Sequence, residues 1–405
     1  MTKSVNILDF GAIPNDNSDS TEAIRRAVSA GAGGTVIFPE GVFLCGSIQL
    51  YGDTEYVFDK GCVLRAAEIS AFTPIGFRHN EMGDTTSMLW AIGENNISLR
   101  GEGIIDLGAW RYYHTGVPVS GEMYQKNTTR LNQPIFFESC RNIRIEGLRF
   151  EHSPCWTLTF SRSSIIVAEN LTIVNDTMIP NSDGIHFSAC QKGIVRGCTI
   201  SGGDDCIALT CITDFNGCNR DITVYDCELS SNSAAVRIGH NAERIRMERL
   251  HIRDTNRGIG IFTRDGTIIR DIAISDIELH TKPRGLCWWG NGDGIVISAV
   301  QEKSRIDNVQ ISCVRGTVGN GIIVYGNAQN VKNVKLSDIS LTCIGEGNSF
   351  LDLRPYLSGQ LPEKNIAYII HGTKNTVFEE VKVNHVDAHA EYSNNANLTG
   401  EIVNL

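Results

Sequence analysis

Three aspartates carry the sequence's clearest chemical signal. Asp183 lies in Pro180-Asn181-Ser182-Asp183-Gly184-Ile185-His186-Phe187, and Asp204 and Asp205 in Gly202-Gly203-Asp204-Asp205-Cys206-Ile207-Ala208-Leu209. Carboxylates brought close together repel, so at least one should hold its proton beside an ionised neighbour. That pairing suits cleavage of a glycosidic bond. A carboxylic acid protonates the leaving oxygen, while a carboxylate activates water or attacks directly. Any one Asp-Gly or Gly-Asp pair could be turn chemistry, its side chain bonding local backbone N–H groups. Three at a matched spacing need a different reason, because like charges have no structural cause to gather.

The elements that must position them repeat. Alternating apolar segments begin at Asn96, Asn142, Ile165, Gly193, Asp221, Arg244, Thr267, Arg305, Asn330 and Asn375, often opened by Asn or Asp. From Asn142 to Thr267 the starts fall 23, 28, 28, 23 and 23 residues apart. Each has period two over a short run, as strands with one buried face do. No helical stretches intervene, which excludes doubly wound and barrel α/β folds. The step is also too short for a propeller blade. The pattern predicts an all-β fold, a right-handed single-stranded parallel β-helix forming one domain over residues 1–405, with coils over about 35–390. A helix over about 20–30, opened by Ser20, is predicted to cap the first coil. Stacked coils lie about 4.8 Å apart. Asp183 and Asp204, 21 positions apart, are therefore expected side by side. A non-catalytic β-solenoid remains the bland alternative, since repeat scaffolds often only bind.

Composition narrows the partners. Of 405 residues, 41% are hydrophobic, and 40 glycines stand against 10 prolines, a balance suited to many strands and tight turns. The formal charge of −10 disfavours nucleic acid and anionic membranes, and no apolar run is long enough to span a bilayer. The chain opens directly into fold sequence, so a cytoplasmic protein is expected if it is complete, or a secreted or periplasmic one if a leader was removed. Thirteen cysteines, an odd number, fit buried thiols such as Cys198, Cys206 and Cys227. Cys211 and Cys218 flank a loop and would be the pair to bond if the protein is exported. No cysteine–histidine spacing suggests zinc, and neither metal nor cofactor is expected.

The segment from Asn142 to Leu209 resembles the polygalacturonase family, glycoside hydrolase family 28, of the pectin-lyase-like β-helix superfamily. The resemblance rests on His152-Ser153-Pro154-Cys155-Trp156-Thr157-Leu158, Pro180-Asn181-Ser182-Asp183-Gly184 and Gly203-Asp204-Asp205-Cys206-Ile207-Ala208. The start, Asn6-Ile7-Leu8-Asp9-Phe10-Gly11-Ala12 through Gly34-Thr35-Val36-Ile37-Phe38-Pro39-Glu40-Gly41, and Gly101-Glu102-Gly103-Ile104-Ile105-Asp106 look similar too. The resemblance implies Asp204 as general acid, Asp183 and Asp205 as holders of the hydrolytic water, and inversion at the anomeric carbon.

The likeness breaks further on. Where the family carries Gly-His-Gly before Ile-Gly, this chain has Ser233-Ala234-Ala235-Val236-Arg237-Ile238-Gly239-His240, which puts Ala234 in the histidine's place. The family's Arg-Ile-Lys falls on Gly260-Ile261-Phe262. Those basic groups grip a uronate carboxylate, which binds poorly in a desolvated cleft without a cation. The expected substrate is thus a pectin-related or other plant-type oligo- or polysaccharide, but not plain polygalacturonate. Arg237, His240, Arg257 and Arg264 are candidates to compensate, each read otherwise as a solvated surface residue. In Cys287-Trp288-Trp289-Gly290-Asn291-Gly292-Asp293-Gly294, adjacent tryptophans cannot both face the core, leaving at least one to stack on a sugar or to anchor a loop on the coil. Asn291 and Asp293 are candidates to bind hydroxyls, as are Asn181 and His186 beside Asp183. His186 and His152 also read as structural histidines. Trp110, Tyr112 and Tyr113 are expected to wall the cleft. A polysaccharide lyase on the same scaffold is the enzymatic alternative, with the three aspartates holding calcium.

Overall fold

A computed structural model describes residues 3–80, 82–119, 123–126, 129–211, 216–263, 266–284, 288–326, 330–344, 365–386, 388–392 and 398–403. Arg264 and Cys287 lie outside these. The chain divides into two compact units, one running to Gly203 and the other taking up from Asp204. Both are built as a right-handed parallel β-helix.

In the first unit each coil lays down short strands in parallel register on the coil before. One ladder runs through Thr54–Phe58, Asn95–Gly101, Arg141–Glu146, Ser164–Glu169 and Gln191–Arg196. Another, which faces the functional region, runs through Ile48–Gln49, Leu89–Ile92, Ile135–Glu138, Leu158–Ser161 and Ile185–Ser188. Alternate residues point inward and stack on their own kind. Phe137, Phe160 and Phe187 form a continuous pile with ring centroids 5.5 and 5.4 Å apart. Burial of such side chains contributes about 1.5–3 kcal/mol each.

In the second unit the strands on the far side lengthen, as Asn219–Ser231, Ala242–Thr255, Ile268–Thr281 and Arg305–Val318. The facing ladder runs Ile207–Thr210, Ala234–Gly239, Arg257–Phe262, Asp293–Ala299, Asn320–Gly326 and Ile366–His371.

The polar residue that opens so many repeats has a backbone cause. Asn96 and Asn142 in the first unit, and Asp221, Asp271, Asn308, Asn333 and Asn375 in the second, hold φ of 53–59°, the left-handed conformation that Asn and Asp adopt most readily among residues with a side chain. Their side chains bond between coils. Asn142 Nδ2 donates to Asn96 Oδ1 (2.7 Å), and Asn96 Nδ2 to Asp53 Oδ1 (2.6 Å). The turn that the sequence repeats is a sharp corner.

The capping helix, α1, spans Thr21–Gly31 and buries Ala23, Ile24, Ala27 and Val28. Ser20 is the N-cap residue, as expected, but its side chain makes no cap bond. Asp19 serves instead, its Oδ1 accepting from Thr21 N at 2.9 Å. A carboxylate there also meets the positive end of the helix dipole. Cys211 and Cys218 form no disulfide, nor does any other cysteine among the described residues.

Candidate active site

In the first unit, Asp183 sits just before the strand Ile185–Ser188. Ile185 and Phe187 point into the core, so His186 and Ser188 face outward. The Asp183 carboxylate is nearly buried, with Oδ2 3.3 Å from His186 Nδ1. Its backbone is pinned on the coil below, where Thr157 N donates to Asp183 O at 3.1 Å. Ser182 Oγ donates to Ile179 O (2.8 Å) and accepts from Gly203 N (2.8 Å). A Cβ on Gly203 would stand 2.1 Å from Ile179 O, so only glycine lets the chain pass this close to the loop.

Arg130 braces the same loop from outside and was not anticipated. Its Nη1 donates to Pro180 O at 3.0 Å, Pro154 O at 3.3 Å and Tyr113 Oη at 2.5 Å. Its Nη2 donates to Asn181 Oδ1 at 2.9 Å. Asn181, expected to meet sugar, is thus engaged in holding its own left-handed turn (φ 58°). One rigid fork thereby joins the turns of two coils.

The aromatic surroundings are dense. Trp156 stacks on His186 with centroids 3.9 Å apart, and His79 meets Trp156 edge-on at 5.0 Å. Burial pushes His79 down to about 4, so it is neutral at ordinary pH. Its Nδ1 accepts from Met82 N at 3.0 Å, as the neutral ring allows. His152 pairs with Asp106 (Nδ1 to Oδ1, 3.0 Å) and lies edge-on to the exposed Trp110. Tyr112 and Tyr113 are buried against Leu131 and Ile179, so of that aromatic trio only Trp110 presents a face to solvent.

In the second unit, Asp204 and Asp205 precede the strand Ile207–Thr210, both almost wholly buried. Asp205 N donates to Asp204 Oδ1 at 3.0 Å, and Ser231 Oγ donates to Asp204 O at 2.6 Å. Arg237 Nη1 donates to Asp205 Oδ2 at 3.2 Å. The guanidinium carbons of Arg237 and Arg257 stand 5.5 and 5.3 Å from the Phe262 ring centre.

This arrangement explains the departure at Gly260-Ile261-Phe262. Arg237 is in register with Gly260, where a Cβ would stand 2.9 Å from Arg257 Cδ and 3.1 Å from the Phe262 ring. Glycine leaves the space that the Arg257 side chain crosses. Arg257 is paired in register with Asp293 and reaches it with Nε 3.6 Å from Oδ2. Burial lowers the pKa of Arg257 and raises that of Asp293, each opposed by the charge of the other.

Two expectations change here. Arg237, His240 and Arg257 are not solvated surface residues: the side chain of Arg237 is 19% exposed, and His240 and Arg257 are buried. Asp293, expected to bind hydroxyls, is instead the buried partner of Arg257, and Asn291 is buried in the same turn, its N donating to Asp293 Oδ2 at 3.3 Å. The adjacent tryptophans divide, with Trp288 buried and Trp289 58% exposed.

The model of glycosyl hydrolases family 28 matches residues 60–353, and the chain belongs to that family. A probable polygalacturonase of Vitis vinifera is 23% identical over 320 residues, covering 71% of this chain and 63% of that protein. The chain thus spans a little under two thirds of that relative's length. Among solved structures, an exopolygalacturonase from Thermotoga maritima superimposes with a TM-score of 0.67 at 20% identity, covering 84% of this chain and 87% of the other. The polygalacturonase of Erwinia carotovora gives 0.61 at 16% identity, covering 99% and 97%. At these identities the likeness is one of fold.

Proposed function

We propose that the protein is an inverting glycosidase that cuts a pectin-related saccharide whose sugar beside Arg237 and Arg257 is neutral. Asp204 serves as the general acid. Asp205 holds the water that attacks the anomeric carbon from the opposite face, and the family resemblance assigns Asp183 the same role. Water delivers its oxygen to that carbon and its proton to the carboxylate, while the Asp204 proton leaves with the departing hydroxyl. Arg237 fixes the direction of the Asp205 carboxylate.

One observation carries the choice of substrate. Both arginines on this face already have carboxylate partners, Asp205 for Arg237 and Asp293 for Arg257. A uronate placed there would compete with the protein's own acids and add a fifth charge to a balanced group of four. The plain polygalacturonan chain is therefore disfavoured.

The test is a panel of homogalacturonan, rhamnogalacturonan and xylogalacturonan oligosaccharides, with products read by NMR. Cleavage with inversion, faster where a neutral sugar is present, is expected. Retention of configuration, or a clear preference for unbranched homogalacturonan, would overturn the reading. Unsaturated products absorbing in the ultraviolet would favour a lyase.

A further inference from the structure

The outward ladder of the first unit reads Gln49, Trp90, Phe136, Thr159, His186 in strict register. On an open trough these side chains would meet solvent. Trp90 and its neighbour Ile92 do, at least in part. From Phe136 onward the exposure stops: Phe136, Glu138, Thr159, Ser161, His186 and Ser188 are all 2% exposed or less.

A hairpin accounts for much of that cover. Strands Pro74–His79 and Gly83–Thr86 pair antiparallel, with Pro74 opposite Thr86 and His79 opposite Gly83. Phe77 lies on Phe136 with centroids 5.1 Å apart. The Arg162 guanidinium stands 5.8 Å from the Phe77 ring centre, its Nε donating to Glu138 at 2.5 Å. Further along, His79 reaches Trp156, which stacks on His186. The hairpin is tied down as well as laid on. Asn132 Nδ2 donates to Met82 O (3.1 Å) and Asp84 O (2.9 Å), and Thr86 N donates to Asn132 Oδ1 (2.9 Å).

Phe136 is two rungs from His186, about 10 Å at the spacing of stacked strands. We propose that this hairpin ends the substrate groove within two coils of Asp183, so that the protein cuts from a chain end and releases one short product of fixed length. The inference rests on the glycosidase reading above and adds its mode of attack. A polymer cannot pass beneath Phe77 and His79 without breaking the aromatic contacts and the Asn132 anchor together, whereas a chain end can stop against them.

Reducing-end-labelled pectic oligosaccharides of defined length, sampled from the first moments of digestion, test it. One short product is expected throughout. A variant with residues 76–83 replaced by two glycines should release mixed lengths, and Phe77→Ala, which keeps the backbone, should do so to a lesser degree. Mixed lengths from the wild type at the outset would overturn the hairpin's role while leaving an Asp204-dependent glycosidase intact. Should no probe be cut, or should Asp204→Asn cut as well as wild type, the glycosidase reading falls and this inference with it.

Discussion

The Arg237 guanidinium donates to the Asp205 carboxylate at 3.2 Å, from a strand position in register with Gly260. Arg237 lies one strand further on than Asp205, so strand pairing between Ile207–Thr210 and Ala234–Gly239 sets the approach of the two groups. The cation is thereby turned to orient an acid of the protein's own.

Replacing Arg237 separates those roles. Arg237→Met should lower kcat by about 10²-fold through misplacement of the Asp205 carboxylate, with a smaller change in KM. Steady-state kinetics on the best saccharide of the panel measures both. A rise in KM with kcat untouched would instead mean that Arg237 binds substrate.

Arg130 offers a parallel case in the first unit. Arg130→Met takes the charged donor from the carbonyls of Pro154 and Pro180 and leaves them the Tyr113 hydroxyl, 2.8 Å from Pro154 O and 3.5 Å from Pro180 O, at a cost of about 1–3 kcal/mol. It also removes the Nη2 bond to Asn181 Oδ1. Thermal unfolding should show the loss. Measured on folded protein, kcat should fall roughly 10–100-fold, since the loop carrying Asp183 is no longer fixed. Arg130→Lys, lacking the planar fork, should recover the stability better than the rate. Equal recovery of both would reduce Arg130 to a scaffold residue.

Stability should carry a pH signature from His152 and Asp106. The hydrogen bond to Asp106 raises the His152 pKa above its ordinary 6.5, against the effect of burial. Burial works to raise Asp106, but hydrogen bonds from His152 and Arg65 outweigh it and hold it below 3.8. A raised histidine stabilises fully below 6.5 and loses that contribution as pH rises through its folded value. A depressed aspartate stabilises above 3.8 and loses it as pH falls through its folded value. The wild type should therefore exceed His152→Gln in Tm by more at pH 5 than at pH 8.5. An equal difference at both would remove the charge from the account.

The exposed Trp289 is suited to stack on a sugar's apolar face. Trp289→Ala should raise KM about 2–10-fold, in line with the roughly 0.5–1.5 kcal/mol typical of aromatic stacking, and leave Tm almost unchanged. Loss of stability without change in KM would mark it as a loop anchor.

Much of this was legible in the sequence because a coil repeats. Period-two segments gave the strands, and the recurrent Asn or Asp marked left-handed corners that these two accept more readily than other side chains, though Ile165, Lys192 and Arg244 hold the same conformation. The Asp183 and Asp204-Asp205 motifs stood out because turn chemistry alone did not explain their spacing. What stayed hidden was non-local. Arg130 belongs to no periodic pattern, and its acceptors are backbone oxygens of Pro154 and Pro180, which carry no signature in residue type. The Arg257–Asp293 pair needs strand register to be seen, and Asp293 read alone was a candidate to bind sugar hydroxyls. The hairpin at Pro74–Thr86 is an excursion from the repeat, and it precedes the first of the repeating segments, at Asn96.

The central claim is that Asp204 delivers the proton to the leaving oxygen. It is tested most directly by kcat for Asp204→Asn, which keeps the shape and the acceptor oxygen but removes the acid. The account predicts a fall of about 10²–10⁴-fold in a protein that unfolds at the same temperature as wild type. A variant that turns over at the wild-type rate would contradict it.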